Sequence, residues 1–190
     1  MLPYIRLGLA GTLVAVSLAT APAAGALSAP DPARSTALAP VTLRYDDSRA
    51  TGWEAAVVAG VASWNTNVDN VKLVKAAPGV RAEIQIIATT GWPQANLGPV
   101  RPGGQVRVEL GAQAVTQGYD KTRITAHELG HSLGLWDTKP GPCSQLMSGS
   151  TGGVSCRNAI PNATEQARVE AAYAPRVATP ADGRVMVDAG

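Results

Sequence analysis

Phenylalanine is absent from this 190-residue chain, and aromatic residues make up only 4% of it. Aliphatic residues and alanine must therefore fill most of any core. Charge is also sparse. The formal net charge is +2, too small and too dispersed for a nucleic-acid-binding surface. No apolar run reaches the roughly 20 residues that a helical membrane span requires; Leu7 to Leu18 falls well short of it. The chain has two cysteines and two histidines. No convincing serine or cysteine nucleophile stands out, which turns attention to where the histidines lie.

Both lie in one run, His127-Glu128-Leu129-Gly130-His131-Ser132-Leu133-Gly134-Leu135-Trp136-Asp137. Residues four apart share one face of a helix, so His127 and His131 can aim two imidazoles at a single point. Zinc accepts nitrogen and oxygen donors in that geometry. Glu128 falls near the metal but too far round the helix to be an obvious ligand, the position expected of a general base acting on the attacking water. A catalytic zinc takes three protein ligands and keeps one position open. A continuing helix would carry the chain past the metal, and Gly134 is the break that lets Asp137 return to it. The short H-E-x-x-H pattern arises by chance on ordinary helices; the glycine and the aspartate at the required positions favour the metal site.

These residues resemble the metzincin clan, whose usual signature is H-E-x-x-H-x-x-G-x-x-H followed by a methionine turn. With aspartate in the last position, the chain is similar to the snapalysins, small neutral metalloproteases of Streptomyces and related actinobacteria. The run from Gly141 to Gly149 adds to the likeness, with Met147 as the turn methionine. The resemblance implies an α+β zinc peptidase with one mixed sheet, an active-site helix, a Met-turn and a C-terminal helix. It implies zinc (Zn2+) ligands at His127, His131 and Asp137, Glu128 as catalytic acid/base, and a calcium (Ca2+) site at Asp120 and Thr122. Asp120 also stands where an N-cap would, immediately before a helical pattern. Many metzincins have a tyrosine two residues after the methionine, where this chain has Gly149. Some snapalysins have one two residues after the aspartate, where this chain has Lys139. Lys139 is then either a cationic support for the developing oxyanion or a solvated loop lysine.

Residues 1–26 read as a signal peptide, with Arg6 before the apolar stretch and Ala24-Gly25-Ala26 as a cleavage site. Residues 27–40 read as a short prosegment or linker without cysteine, residues 41–174 as a metalloprotease catalytic domain, and residues 175–190 as a flexible tail. In an exported protein, Cys143 and Cys156 read as a disulfide rather than as thiolate ligands. That link would contribute about 3 kcal/mol through loop-closure entropy.

Within the domain, Val41–Tyr45, Val71–Val74, Ala82–Ala88 and Gln105–Leu110 are expected strands. Gly52–Asn67 is an expected helix with Trp53, Val57, Val61 and Trp64 on its core face. The Gly- and Pro-rich loop from Thr89 to Gly104 is long enough to shape a substrate cleft. Metzincins bind peptide along an antiparallel edge strand above the zinc helix, and Gln105–Leu110 is the candidate edge, with an internal strand as the alternative. The active-site helix is expected over Lys121–Leu135. A capping box at Asn162–Glu165 opens a last helix ending near Ala174.

The expected protein is a secreted monomer that hydrolyses protein or peptide substrates, with an aromatic residue favoured just after the cleaved bond. No nucleic-acid partner or stable membrane association is expected. A zinc hydrolase of cell-wall peptides and a non-catalytic zinc-binding domain are the competing readings.

Overall fold

The alternation of small polar and aliphatic residues between Val41 and Gly111 builds a twisted sheet with one dry face. The computed structural model describes residues 39–175. The expected signal peptide, nearly all of the expected prosegment and the tail after Pro175 lie outside the described residues. Strand β1 (Val41–Arg49) leads into helix α1 (Glu54–Asn67), then β2 (Val71–Lys75), β3 (Ile84–Thr89), β4 (Gln94–Ala95) and β5 (Val106–Gly111). A short helix α2 (Ala112–Thr116) precedes α3 (Lys121–Ser132), a 3-10 segment (Leu146–Gly152) and α4 (Ala163–Ala172). The sheet order is β2-β1-β3-β5-β4. All pairings are parallel except β4 with β5. This is the mixed sheet of an α+β domain. Among the described residues, no helix is long and apolar enough to cross a membrane.

Leu43, Tyr45, Leu73, Ile84, Ile86, Val108 and Leu110 point to the buried side, as period-2 alternation requires. They meet Trp53, Val57, Val61 and Trp64 of the α1 stripe in one core. The indole Nε1 of Trp64 donates to Ala126 O at 2.8 Å, tying α1 to α3 without leaving a buried donor unpaired. The aromatic shortage thus falls where expected: two tryptophans and aliphatic side chains carry the α1 interface.

Two expectations need correction. The Gln105–Leu110 segment is not the sheet edge. It forms β5, paired on one side with β3 and on the other with β4. Its alternation records one exposed face, which an internal strand of a one-sided sheet shares with an edge strand. The edge on that side is β4, two residues long and set in the Gly/Pro-rich loop; β2 is the other edge. The active-site helix also ends earlier than Leu135: α3 stops at Ser132, with Leu133 as its C-cap.

Candidate metal centre

The end of α3 is what turns a helix into a site. Gly134 has φ +103, a left-handed conformation that glycine adopts at little cost. Gly134 N donates to His131 O at 2.9 Å and Leu135 N to Gly130 O at 3.0 Å. This pair of bonds is a Schellman motif, which satisfies the last carbonyls and reverses the chain. The reversal presents Asp137 to the helix face that it has just left. Leu135 O then accepts from His131 Nδ1 at 2.8 Å, while Leu146 O accepts from His127 Nδ1 at 3.0 Å. Because carbonyls only accept, both rings carry their proton on Nδ1 and turn an Nε2 lone pair to the same point.

Asp137 Oδ1 lies 3.2 Å from His127 Nε2 and 3.6 Å from His131 Nε2. Lone pairs that face one another at such distances need a cation between them. Bonds of 2.0–2.1 Å in a tetrahedron give donor–donor edges of about 3.3–3.4 Å, so the spacing and the N,N,O chemistry fit zinc. Among the described residues, these three form the one group of three or more His, Cys, Asp or Glu side chains whose donor atoms converge this closely, within 4.8 Å. His127 and Glu128 are buried, at 6% and 5% exposure. Burial pushes the Glu128 carboxyl up to about 7; the Asp137 charge adds to the shift, and His127 and Lys139 oppose it. Its buried Oε2 has no hydrogen-bond partner among the described residues, and Glu128 lines a cleft of about 100 Å³ together with His127.

The cleft continues past Glu128 between Trp92, Ala114, Tyr119 and Ile124. The Trp92 and Tyr119 rings meet edge to face, 6.2 Å apart. Trp92 comes from the loop expected to shape a cleft, two residues before the edge strand β4.

Beneath the donors sits the methionine turn. Met147 is fully buried, and a Cβ on Gly130 would lie 2.7 Å from its Sδ and 3.1 Å from Trp64 Cζ2. Cys143 and Cys156 are joined by a disulfide that spans this segment. Two residues that the sequence did not single out as functional hold the turn. Glu165 completes the capping box of α4 and also accepts from the backbone N–H of Leu146 at 3.2 Å and of Met147 at 2.7 Å. Arg123, buried on α3 one turn before His127, donates to Asn158 O (2.6 Å), Gln145 O (3.0 Å) and Ser148 Oγ (2.9 Å), with longer contacts to other carbonyls of the turn.

The remaining expected site residues divide. Asp120 caps α3, accepting from Arg123 N at 2.8 Å, and its second oxygen faces Arg157 Nε at 3.8 Å. The cap reading of Asp120 therefore holds, and a calcium ion bound by Asp120 and Thr122 would compete with the Arg157 cation. Lys139 lies in the cleft wall rather than free in a loop. Its Nζ donates to Asp137 Oδ2 at 2.9 Å.

Two imidazoles and a carboxylate converge where His127 and the Glu128 carboxyl enter the lining of a cleft, and Met147 packs against Gly130 of the same helix. Under a mixed sheet, this is the arrangement that the resemblance to the metzincins implied. Residues 40–175 match the Streptomyces extracellular neutral proteinase (M7) family, and the chain belongs to that family. It is 39% identical over 134 residues to the extracellular small neutral protease of Streptomyces caespitosus, covering 70% of this chain and 98% of that protein. It is 38% identical over 136 residues to the protein of the same description from Streptomyces sp. (strain C5), covering 72% of this chain but 58% of the relative. Among solved structures, high choriolytic enzyme 1, a hatching enzyme zinc-protease from Oryzias latipes, aligns with a TM-score of 0.50 at 16% identity, over 73% of this chain and 92% of that one. At that identity the likeness is one of fold.

Proposed function

We propose that this chain is a secreted zinc-dependent endopeptidase that hydrolyses peptide bonds in extracellular proteins. The observation that carries the reading is the convergence of His127, His131 and Asp137, with His127 and Glu128 side by side in the lining of one cleft. His127, His131 and Asp137 would hold a zinc ion, which would supply Lewis acidity toward the scissile carbonyl and the attacking water. Glu128 is placed to take a proton from the attacking water and return it to the leaving amine, and burial holds its carboxyl above the usual carboxylate range in the metal-free protein. The two backbone carbonyls on the imidazole Nδ1 atoms keep the rings oriented throughout.

Hydrolysis of casein by the full chain tests the reading. Digestion should stop with a chelator, return on adding zinc and ignore serine- and cysteine-directed inhibitors. Intact casein with digested cell-wall peptides points to the cell-wall hydrolase instead. Zinc binding without any hydrolysis points to a non-catalytic domain.

The aromatic preference at P1′ belongs to the same proposal. The Trp92, Ala114, Tyr119 and Ile124 side chains support it, since apolar and aromatic groups beside the base favour a ring, while Asp120, Arg123 and Lys139 line other parts of the same cleft. Trp92→Ala should lower kcat/KM for peptides with P1′ tyrosine relative to P1′ alanine by roughly 2–12-fold, which corresponds to the ~0.5–1.5 kcal/mol of an aromatic pair. A peptide library read by mass spectrometry measures this. An unchanged ratio removes Trp92 from the specificity pocket.

A further inference from the structure

We infer that Lys139 is a positioning residue for Asp137, and that Lys139 and Gly149 form one interdependent unit in the cleft wall. The inference rests on the reading of His127, His131 and Asp137 as the zinc site. The two oxygens of Asp137 have divided tasks: Oδ1 faces both imidazoles, and Oδ2 accepts from Lys139 Nζ at 2.9 Å. A charge-assisted bond on the outer oxygen limits rotation of the carboxylate and keeps Oδ1 turned to the metal position. The lysine is itself held in place. Thr138 N, between the two residues, donates to Met147 O at 2.9 Å, so the strip carrying Asp137 and Lys139 is pinned to the methionine turn.

Gly149 completes the unit. A Cβ there would lie 2.6 Å from Lys139 Cε, 3.1 Å from Lys139 Nζ and 3.2 Å from His127 Cε1. The lysine stem therefore occupies the room that a side chain at 149 would need. The two positions where a tyrosine was absent are filled by a single arrangement: the glycine leaves the space and the lysine takes it. Lys139 Nζ is engaged by Asp137, so the lysine acts through the ligand rather than as a free cation for an oxyanion. Its charge also opposes a metal cation. Both members of the pair are about 40% exposed, so solvent screens the repulsion as well as the ion pair, and the positioning rests on the directional bond.

Zinc affinity, measured on the full chain with Zn2+ against a competing chromophoric chelator, is the deciding quantity. Lys139→Met should weaken binding about 10-fold or more, the usual effect of removing a ligand's outer partner, and Lys139→Arg should recover most of it. Unfolding of the zinc-free protein should be unchanged in Lys139→Met, which separates positioning from general stability. Gly149→Ala should also weaken zinc binding, both through Lys139 and through its contact with His127, and the double variant should lose less than the sum of the two singles, because the lysine contact is broken only once. Unchanged zinc affinity in Lys139→Met with a lowered kcat would overturn the inference in favour of oxyanion support. Additive losses in the double variant would overturn the pairing with Gly149. His131→Ala serves as the control: if it binds zinc as well as the unaltered chain, the zinc-site reading itself falls, and the role of Lys139 with it.

Discussion

Glu128→Gln is expected to lower kcat on casein by about 10²–10⁴-fold, the usual contribution of a positioned general acid–base, with zinc stoichiometry and thermal unfolding unchanged. Glutamine matches glutamate in size and keeps an acceptor oxygen in the same place, so the packing of a side chain that is 5% exposed is conserved. What is lost is the ability to take up and release a proton. In the metal-free protein, burial places that proton near neutrality, and the charge of Asp137 pushes in the same direction. Glu128 lines the cleft, and its buried Oε2 has no hydrogen-bond partner among the described residues. Steady-state kinetics beside a zinc titration separates the outcomes. A variant that binds zinc and still turns over within ten-fold of the unaltered chain sinks the assignment of Glu128 as the base. A variant that has lost zinc would make Glu128 part of the metal centre instead.

The metal centre was legible because its geometry is local. A helix fixes the His127–His131 spacing, and Gly134 falls where a Schellman motif must end that helix for Asp137 to return. The histidine tautomers were not legible, since the carbonyls that fix them belong to Leu135, in the reversal, and to Leu146, nine residues beyond the motif. The capping box of α4 was plain, as was the α1 stripe. Sheet order was not. An alternating strand reports which of its faces is wet and says nothing about how many neighbours it has, so β5 could be read as an edge. The edge on that side, Gln94–Ala95, is too short to show any period, and the Gly/Pro-rich composition around it reads as loop. Glu165 and Arg123 escaped notice for another reason. Glu165 satisfied a complete local role as a cap, which hid its second role under Leu146 and Met147. Arg123 looked like an ordinary charged residue in the first turn of a helix. The one available signal was its position four residues before His127, on the face that the ligands use.

Arg123→Met should therefore be the most destabilising single substitution on the ligand face of α3, costing about 3–5 kcal/mol, the range for removing one partner of a buried ionic network. Methionine nearly fills the volume but donates nothing. It would strand Asn158 O, Gln145 O and Ser148 Oγ in a region where Arg123 itself is 4% exposed. The buried Glu165 carboxylate would also lose the positive charge that faces it. At roughly 2–4 °C per kcal/mol for a domain of this size, Tm should fall by about 6–20 °C with the disulfide kept oxidised. The loss should reach the metal. Leu146 O is the acceptor that orients His127, and Arg123 and Glu165 grip the same short turn from opposite sides. A turn released on the Arg123 side holds His127 less firmly, so zinc affinity should fall along with stability. Arg123→Lys, which keeps the charge but fewer donors, should lie between the two. Thermal unfolding followed by circular dichroism, paired with the zinc titration, tests both halves of the argument. A shift in Tm of less than 2 °C would show that the turn is held by Glu165 and the disulfide alone. A large shift with unchanged zinc affinity would show that the turn stabilises the fold without orienting His127.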